Sequence, residues 1–136
     1  MEPARVKETA VIGRGFPYRK DLSVSGAPLR LKGRAYRRGL GVHSQTLLEY
    51  SLNGGYTTFA ATLGLDDSSR GKGSVTFVVS ADGKELLRED FDSTRAPLPI
   101  SIPVSGVRKL ILLVDYGADK LDLGDHADWV NARLTK

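Results

Sequence analysis

The chain has 136 residues, 40% hydrophobic and 26% charged, with no cysteine; this suits one globular domain with a real core and excludes disulfides, thiolate chemistry and cysteine-ligated zinc. No run approaches the roughly 18–20 apolar residues of a membrane span, and the opening residues lack the apolar centre of a secretory signal. The net charge of +4 is unevenly spread, because residues 1–40 hold ten Lys and Arg against three Asp and Glu, whereas Asp115–Asp128 holds five Asp and one Lys. In chain order, the first 28 residues are poorly patterned, and Pro17, Pro28, Gly13, Gly15 and Gly26 predict an irregular lead-in packed on the body formed by 29–136. Gly39-Leu40-Gly41-Val42-His43-Ser44 places glycines where a backbone bends or approaches closely. Thr46, Leu48, Tyr50 and Leu52 share one strand face, and Asn53-Gly54-Gly55 then makes a turn. Phe59, Ala61, Leu63 and Leu65 line the next strand, followed by a polar loop from Asp66 to Lys72. Val75, Phe77 and Val79 alternate again, and Asp82-Gly83 predicts a hairpin returning through Leu87 and Phe91. Leu98, Ile100, Ile102 and Val104 form a strand ahead of the Ser105-Gly106 turn. Leu110 to Val114 is apolar on both faces, which predicts a central position in a sheet. Trp129 to Leu134 closes the series. Strands at this spacing with turn chemistry between them predict an all-β sandwich or barrel.

Few residues carry chemistry. His43 enters a strand as a hydrogen-bonding or metal-binding imidazole, or as a buried histidine satisfying its neighbours. Asp66-Asp67 suits a hard cation such as calcium, or caps backbone amides in a solvated turn. Asp119, Asp122, Asp125 and Asp128 recur every third residue, which is not the EF-hand spacing. Such carboxylates repel unless a cation, an arginine or a histidine such as His126 or His43 neutralises them. Trp129 either stacks on a sugar ring or anchors the core. Alternation sets Trp129 with Asn131 and Arg133 on a polar face, and Val130, Ala132 and Leu134 on the core face. Arg30, Lys32, Arg34, Arg37 and Arg38 surround Tyr36, a pattern open to nucleic acid, but Leu29 and Leu31 alternate with them as in a solvated strand, so no nucleic acid partner is expected. No nucleophile elbow, phosphate loop, dinucleotide fingerprint or zincin motif occurs, so ligand binding without catalysis is expected.

Three segments in order resemble the NPCBM family of carbohydrate-binding modules. They are Gly39 to Ser44; Leu63-Gly64-Leu65-Asp66-Asp67 with Gly73 to Val79 and Asp82-Gly83-Lys84; and Asp125-His126-Ala127-Asp128-Trp129 followed by Ala132. The resemblance runs from about Leu29 to Leu134. It implies a jelly-roll β-sandwich of two antiparallel sheets, similar to galactose-binding domains. It implies non-catalytic recognition of glycans, with terminal galactose-type sugars as ligand. The parent would be a larger secreted or surface protein, such as a glycoside hydrolase. By motif, His43, Asp66, Asp125, Asp128 and Trp129 are the positions carried onto this chain; with Asn131 beside Trp129, His43, Asp128 and Trp129 are the sugar candidates, and Asp66 and Asp125 are candidates for a structural calcium. The alternative is a sandwich of the same fold that serves structure or protein contacts and binds no sugar.

Overall fold

A computed structural model describes residues 5–8, 19–23, 25–69, 73–92, 94–117 and 125–136. Their strands are β1 (Arg5–Glu8), β2 (Arg19–Lys20), β3 (Leu29–Leu31), β4 (Arg34–Tyr36), β5 (Gly39–His43) and β6 (Thr46–Ser51). There follow β7 (Thr58–Leu65), β8 (Ser74–Ala81), β9 (Lys84–Asp92), β10 (Leu98–Pro103), β11 (Lys109–Tyr116) and β12 (His126–Thr135). One five-stranded sheet runs β1-β6-β11-β8-β9 and a second runs β10-β7-β12-β5-β2, with every pairing antiparallel. This is the two-sheet sandwich that the alternation and turn spacing predict. β11 lies between β6 and β8, as its two apolar faces require. β10 carries Pro99 and Pro103, which donate no ladder hydrogen bond, and it lies at a sheet edge. The Asp82-Gly83 turn has φ of 49° and 83° at its two central residues, the pairing that suits a two-residue hairpin.

The described part of the lead-in contains two short strands. β1 pairs with β6 and β2 with β5, so this segment supplies one edge strand to each sheet.

Between the sheets, Trp129, Phe59, Phe77 and Phe91 form an aromatic centre, with Phe77 edge-on to both Trp129 and Phe91 at 5.1 Å. A second, smaller apolar cluster lies on the outer face of the β12 sheet. There Leu29 and Leu31 of the β3–β4 hairpin bury against Val130. Gly64 admits this hairpin, since a Cβ there would stand 3.0 Å from the Leu31 methyls. Gly39 is more constrained: at φ 151° its Cβ would meet the Trp129 carbonyl oxygen at 2.5 Å.

Candidate functional site

β12 sets the faces of the candidate residues, and it contains an irregularity. Its register against β7 shifts between Val130 and Arg133, where Asn131 has φ of 53° and donates its N–H to the Arg38 carbonyl. A bulge of this kind reverses which alternate residues face inward. Before it, Ala127 and Trp129 point into the sandwich; after it, Ala132 and Leu134 do. Period-two reading backwards from Leu134 therefore puts Trp129 on the wrong face. Trp129 is 1% exposed and belongs to the core, so the sugar platform expected of it is not available.

His126, Asp128 and Val130 face the other side. His126 and His43 are cross-strand partners with ring centroids 5.6 Å apart. His43 is buried, and its Nδ1 lies 2.8 Å from the Ser44 carbonyl oxygen. His126 Nδ1 lies 2.8 Å from the Ser68 hydroxyl, which in turn meets the Ser23 hydroxyl at 3.1 Å. Burial, then the neighbouring His43, lowers the His126 pKa against a smaller opposing effect of Asp66, so the ring is neutral at neutral pH.

Asp66 and Asp128 form a buried acid pair beneath the hairpin. Asp66 Oδ2 accepts the Arg30 N–H at 3.1 Å and Oδ1 accepts the Ser68 N–H at 2.9 Å. Among the described residues neither carboxylate oxygen of Asp128 has a hydrogen-bond donor, and the residue is fully buried. Burial first, and the Asp66 carboxylate second, push the Asp128 pKa well above the usual carboxylate range. Protonated, Asp128 donates to Asp66. Burial raises the Asp66 pKa, but this hydrogen bond and the Ser68 and Arg30 amides outweigh it and hold Asp66 low. While Asp128 keeps its proton, the pair carries one charge.

Asp125, also fully buried, accepts the Ser44 hydroxyl and the Ser74 N–H, the latter at 2.8 Å. It ties the end of β5 and the start of β8 to the start of β12. Asp119 and Asp122 lie outside the described residues. Among the described residues no three His, Asp or Glu side chains gather to hold a metal ion, and Asp66 and Asp125 direct their oxygens to amide and hydroxyl donors. Asn131 is exposed but lies five residues along β12 from His126, roughly 16 Å at strand rise. The structure therefore sets His43 opposite His126 and Asp128 against Asp66, seats Trp129 in the core and leaves Asn131 apart.

An open cavity lies elsewhere, where β8 begins and β9 and β11 end. It has a volume of about 700 Å³ and is lined by, among others, Thr76, Asp90, Asp92, Arg95, Asp115 and Tyr116. Its groups are held in place. Thr76 donates to Asp90 at 2.6 Å, Thr94 donates N–H and hydroxyl to Asp92, and Gln45 donates to Asp115 at 2.9 Å. The two hydrogen bonds from Thr94 hold the Asp92 pKa below its usual value, so this carboxylate stays ionised. Arg95 lies 4.3 Å over the Phe91 ring, with Nη1 2.6 Å from the Asp90 carbonyl oxygen and Nη2 3.1 Å from Glu89. A second cavity of about 240 Å³ shares Asp92 and Arg95 with it. Positioned carboxylates accept from hydroxyls and a fixed guanidinium donates to them, which is the chemistry that orients a polyhydroxylated ring. Sequence reasoning misses these residues because each looks like an ordinary polar residue next to a turn. Their common signal, a place at strand ends that meet at one pole, exists only once the strands are paired.

The chain is thus a two-sheet antiparallel sandwich with fixed polar side chains in a cleft at its strand ends. The chain belongs to the NPCBM/NEW2 domain family, whose model matches residues 4–135. It is 36% identical over 121 residues to alpha-1,3-galactosidase B of Akkermansia muciniphila, covering 83% of this chain and 15% of that protein. Among solved structures, it is 26% identical to the CBM51 module of a Clostridium perfringens GH95 protein in complex with methyl-galactose. That match covers 99% of this chain and 95% of the other, with a TM-score of 0.86. It is also 27% identical to a structure of the CBM51-2 and INT domains of Clostridium perfringens ZmpB, in complex with GlcNAc. There the match covers 98% of this chain and 30% of the other, with a TM-score of 0.85. The chain spans 7% and 15% of the length of two curated relatives. The family read from the ordered motifs is thus the family the chain belongs to.

Proposed function

We propose that the chain is a non-catalytic carbohydrate-binding module that holds a terminal galactose-type sugar in the strand-end cleft, as part of a longer glycan-active protein outside the cell. The observation that carries this reading is the cleft itself, with Asp90, Asp92 and Asp115 as fixed acceptors and Arg95 as a fixed donor. Likeness over nearly the whole length to a module in complex with methyl-galactose supports the choice of sugar. Likeness to a galactosidase supports a glycan-active parent.

Calorimetric titration with methyl-galactoside tests the reading. Arg95→Met and Asp92→Asn are each expected to weaken binding at least about tenfold, about 1.4 kcal/mol, with melting temperature little changed. No binding of any galactoside at millimolar concentration by the folded protein would sink it. Turnover of nitrophenyl galactosides would instead make the module an enzyme.

Structural calcium is part of the same proposal and is supported by the resemblance alone. Exhaustive chelation lowers the melting temperature if the ion binds the native state; an unchanged curve removes it. The second reading, a structural or protein-contact sandwich, is favoured by one observation. His43, Asp66, Asp125, Asp128 and Trp129, the motif residues, are all buried and bonded or packed within the fold. A glycan array without a single ligand would support it.

A further inference from the structure

The strand-end cleft does not stop at Asp92 and Arg95. The same two side chains line the cavity of about 240 Å³, together with Lys32, Leu65, Asp66 and Asp67. Three parts of the chain meet there. Asp92 and Arg95 come from the end of β9 and the turn after it, Leu65 to Asp67 from the end of β7, and Lys32 from the turn of the β3–β4 hairpin. That turn is fixed. Lys32 and Gly33 have φ of 49° and 84°, the pairing of a tight two-residue hairpin turn. Asp67 accepts the N–H of both, at 2.9 and 2.8 Å. Leu29 and Leu31 hold the stem of the hairpin against Val130. This wall of the cavity is therefore built before any ligand arrives, which lowers the ordering cost of binding.

We propose that the smaller cavity is a second sugar subsite, so that this pole takes a disaccharide: the terminal galactose-type ring in the larger cavity and a neutral pyranose ring in the smaller one, with Asp92 and Arg95 shared between them. The inference rests on the galactoside reading above and extends it from one ring to two. Size points to a single further ring, because about 240 Å³ lies just below the roughly 300–1,000 Å³ of pockets for drug-sized ligands. The lining suits hydroxyl groups. Asp67 gives its two printed hydrogen bonds to the hairpin amides, out of roughly four that a carboxylate can accept. Arg95 is held by the Phe91 ring, the Asp90 carbonyl and Glu89, and a guanidinium carries five N–H donors. Half-buried Leu65 supplies an apolar contact for ring C–H groups. Charge selects a neutral ring. Asp66, Asp67 and Asp92 surround the cavity against the two cations Lys32 and Arg95. Those cations already have carboxylate neighbours, Lys32 in Asp92 and Arg95 in Glu89. A carboxylate or sulfate on the second ring would add like charge beside the three aspartates.

Calorimetric titration of the unaltered protein tests this by comparing methyl-galactoside with methyl glycosides of disaccharides, in which a terminal galactose is joined through an α1,3, β1,3 or β1,4 bond to a neutral hexose. At least one linkage is expected to bind about fivefold tighter than the single sugar, or more, the worth of about one well-made hydrogen bond. Replacing the second hexose of that disaccharide by its uronic acid is expected to abolish the gain. Lys32→Ala removes part of the hairpin wall and is expected to bring the ratio of disaccharide to monosaccharide affinity down towards one. Lys84→Ala, at the other end of β9, is expected to keep the ratio of the unaltered protein. Equal affinity for one ring and two at every linkage would overturn the proposal and leave the single-ring reading standing. An undiminished ratio in Lys32→Ala would overturn it as well, because the second ring would then lie elsewhere. Tighter binding of the uronic acid form would do the same by making the cavity an anion subsite. Failure of every galactoside to bind the folded protein would remove the single-ring reading, and the second subsite with it.

Discussion

Asp128 and Trp129 are neighbours in sequence, point to opposite faces of β12, and meet opposite demands. Trp129 fills the space between Phe59 and Phe77, at ring distances of 6.4 and 5.1 Å. Trp129→Ala is expected to cost about 3–5 kcal/mol in urea unfolding, because the surrounding aromatic rings cannot collapse into the void. Asp128 is a buried acid whose proton serves Asp66. Its native pKa is raised, so the stability linked to it is full below the ordinary carboxylate value of about 3.9 and is lost as pH rises through the native value. Asp66 has the opposite sign: its contribution is present above the ordinary value and is lost as pH falls through its lowered native one. Asp128→Asn keeps an N–H donor for Asp66 and removes the titration. The variant is therefore expected to gain stability over the unaltered protein as pH climbs from 5 to 9, read as a widening gap in melting temperature. Parallel curves across that range would mean that no proton is shared. Both residues were legible as important from their motif, but their roles were not, because a role depends on which face the side chain takes.

At the scale of the element, β12 and the β3–β4 hairpin decide how the candidate region is built. The bulge at Asn131 changes the phase of β12 part-way along. Alternation located the strand correctly, but it is a local signal and does not register an extra residue whose N–H bonds to a distant carbonyl, that of Arg38. Gly39 shows the same close approach from the other side. Gly39→Ala drives a Cβ to 2.8 Å from the Val130 Cα as well as onto the Trp129 carbonyl. It is expected to destabilise by about 1–3 kcal/mol or more, measured by denaturant unfolding, since backbone atoms cannot swing aside. The glycines of this segment were legible in the sequence as places of bending or close approach; the strand that approaches was not. The hairpin was half-legible. Leu29 and Leu31 alternate with basic residues as a solvated strand does, yet their burial uses the outer face of a sheet rather than the main core.

At the scale of the molecule, two edge strands from the first twenty residues close the two sheets. Removing residues 1–20 would uncover the β6 and β5 edges, each a row of unpaired backbone groups. The truncated protein is expected to melt at lower temperature and to self-associate in light scattering; unchanged behaviour would show that these strands contribute nothing. This consequence was not legible in the sequence, because strands as short as β1 and β2 carry too few residues for a period-two pattern. The central strands, the hairpin turns and the all-β architecture were legible, because alternation and positive-φ turn residues are properties of a few consecutive residues. The ordered motifs also identified the family. Only the tertiary structure decided the faces and the site. A strand-end cleft is assembled from side chains far apart along the chain, and burial depends on what packs against a face rather than on the face's own pattern. The sequence by itself therefore determined what kind of sandwich this is. The pairing of distant strands decided that Trp129 holds its centre while Asp92 and Arg95 line its open pole.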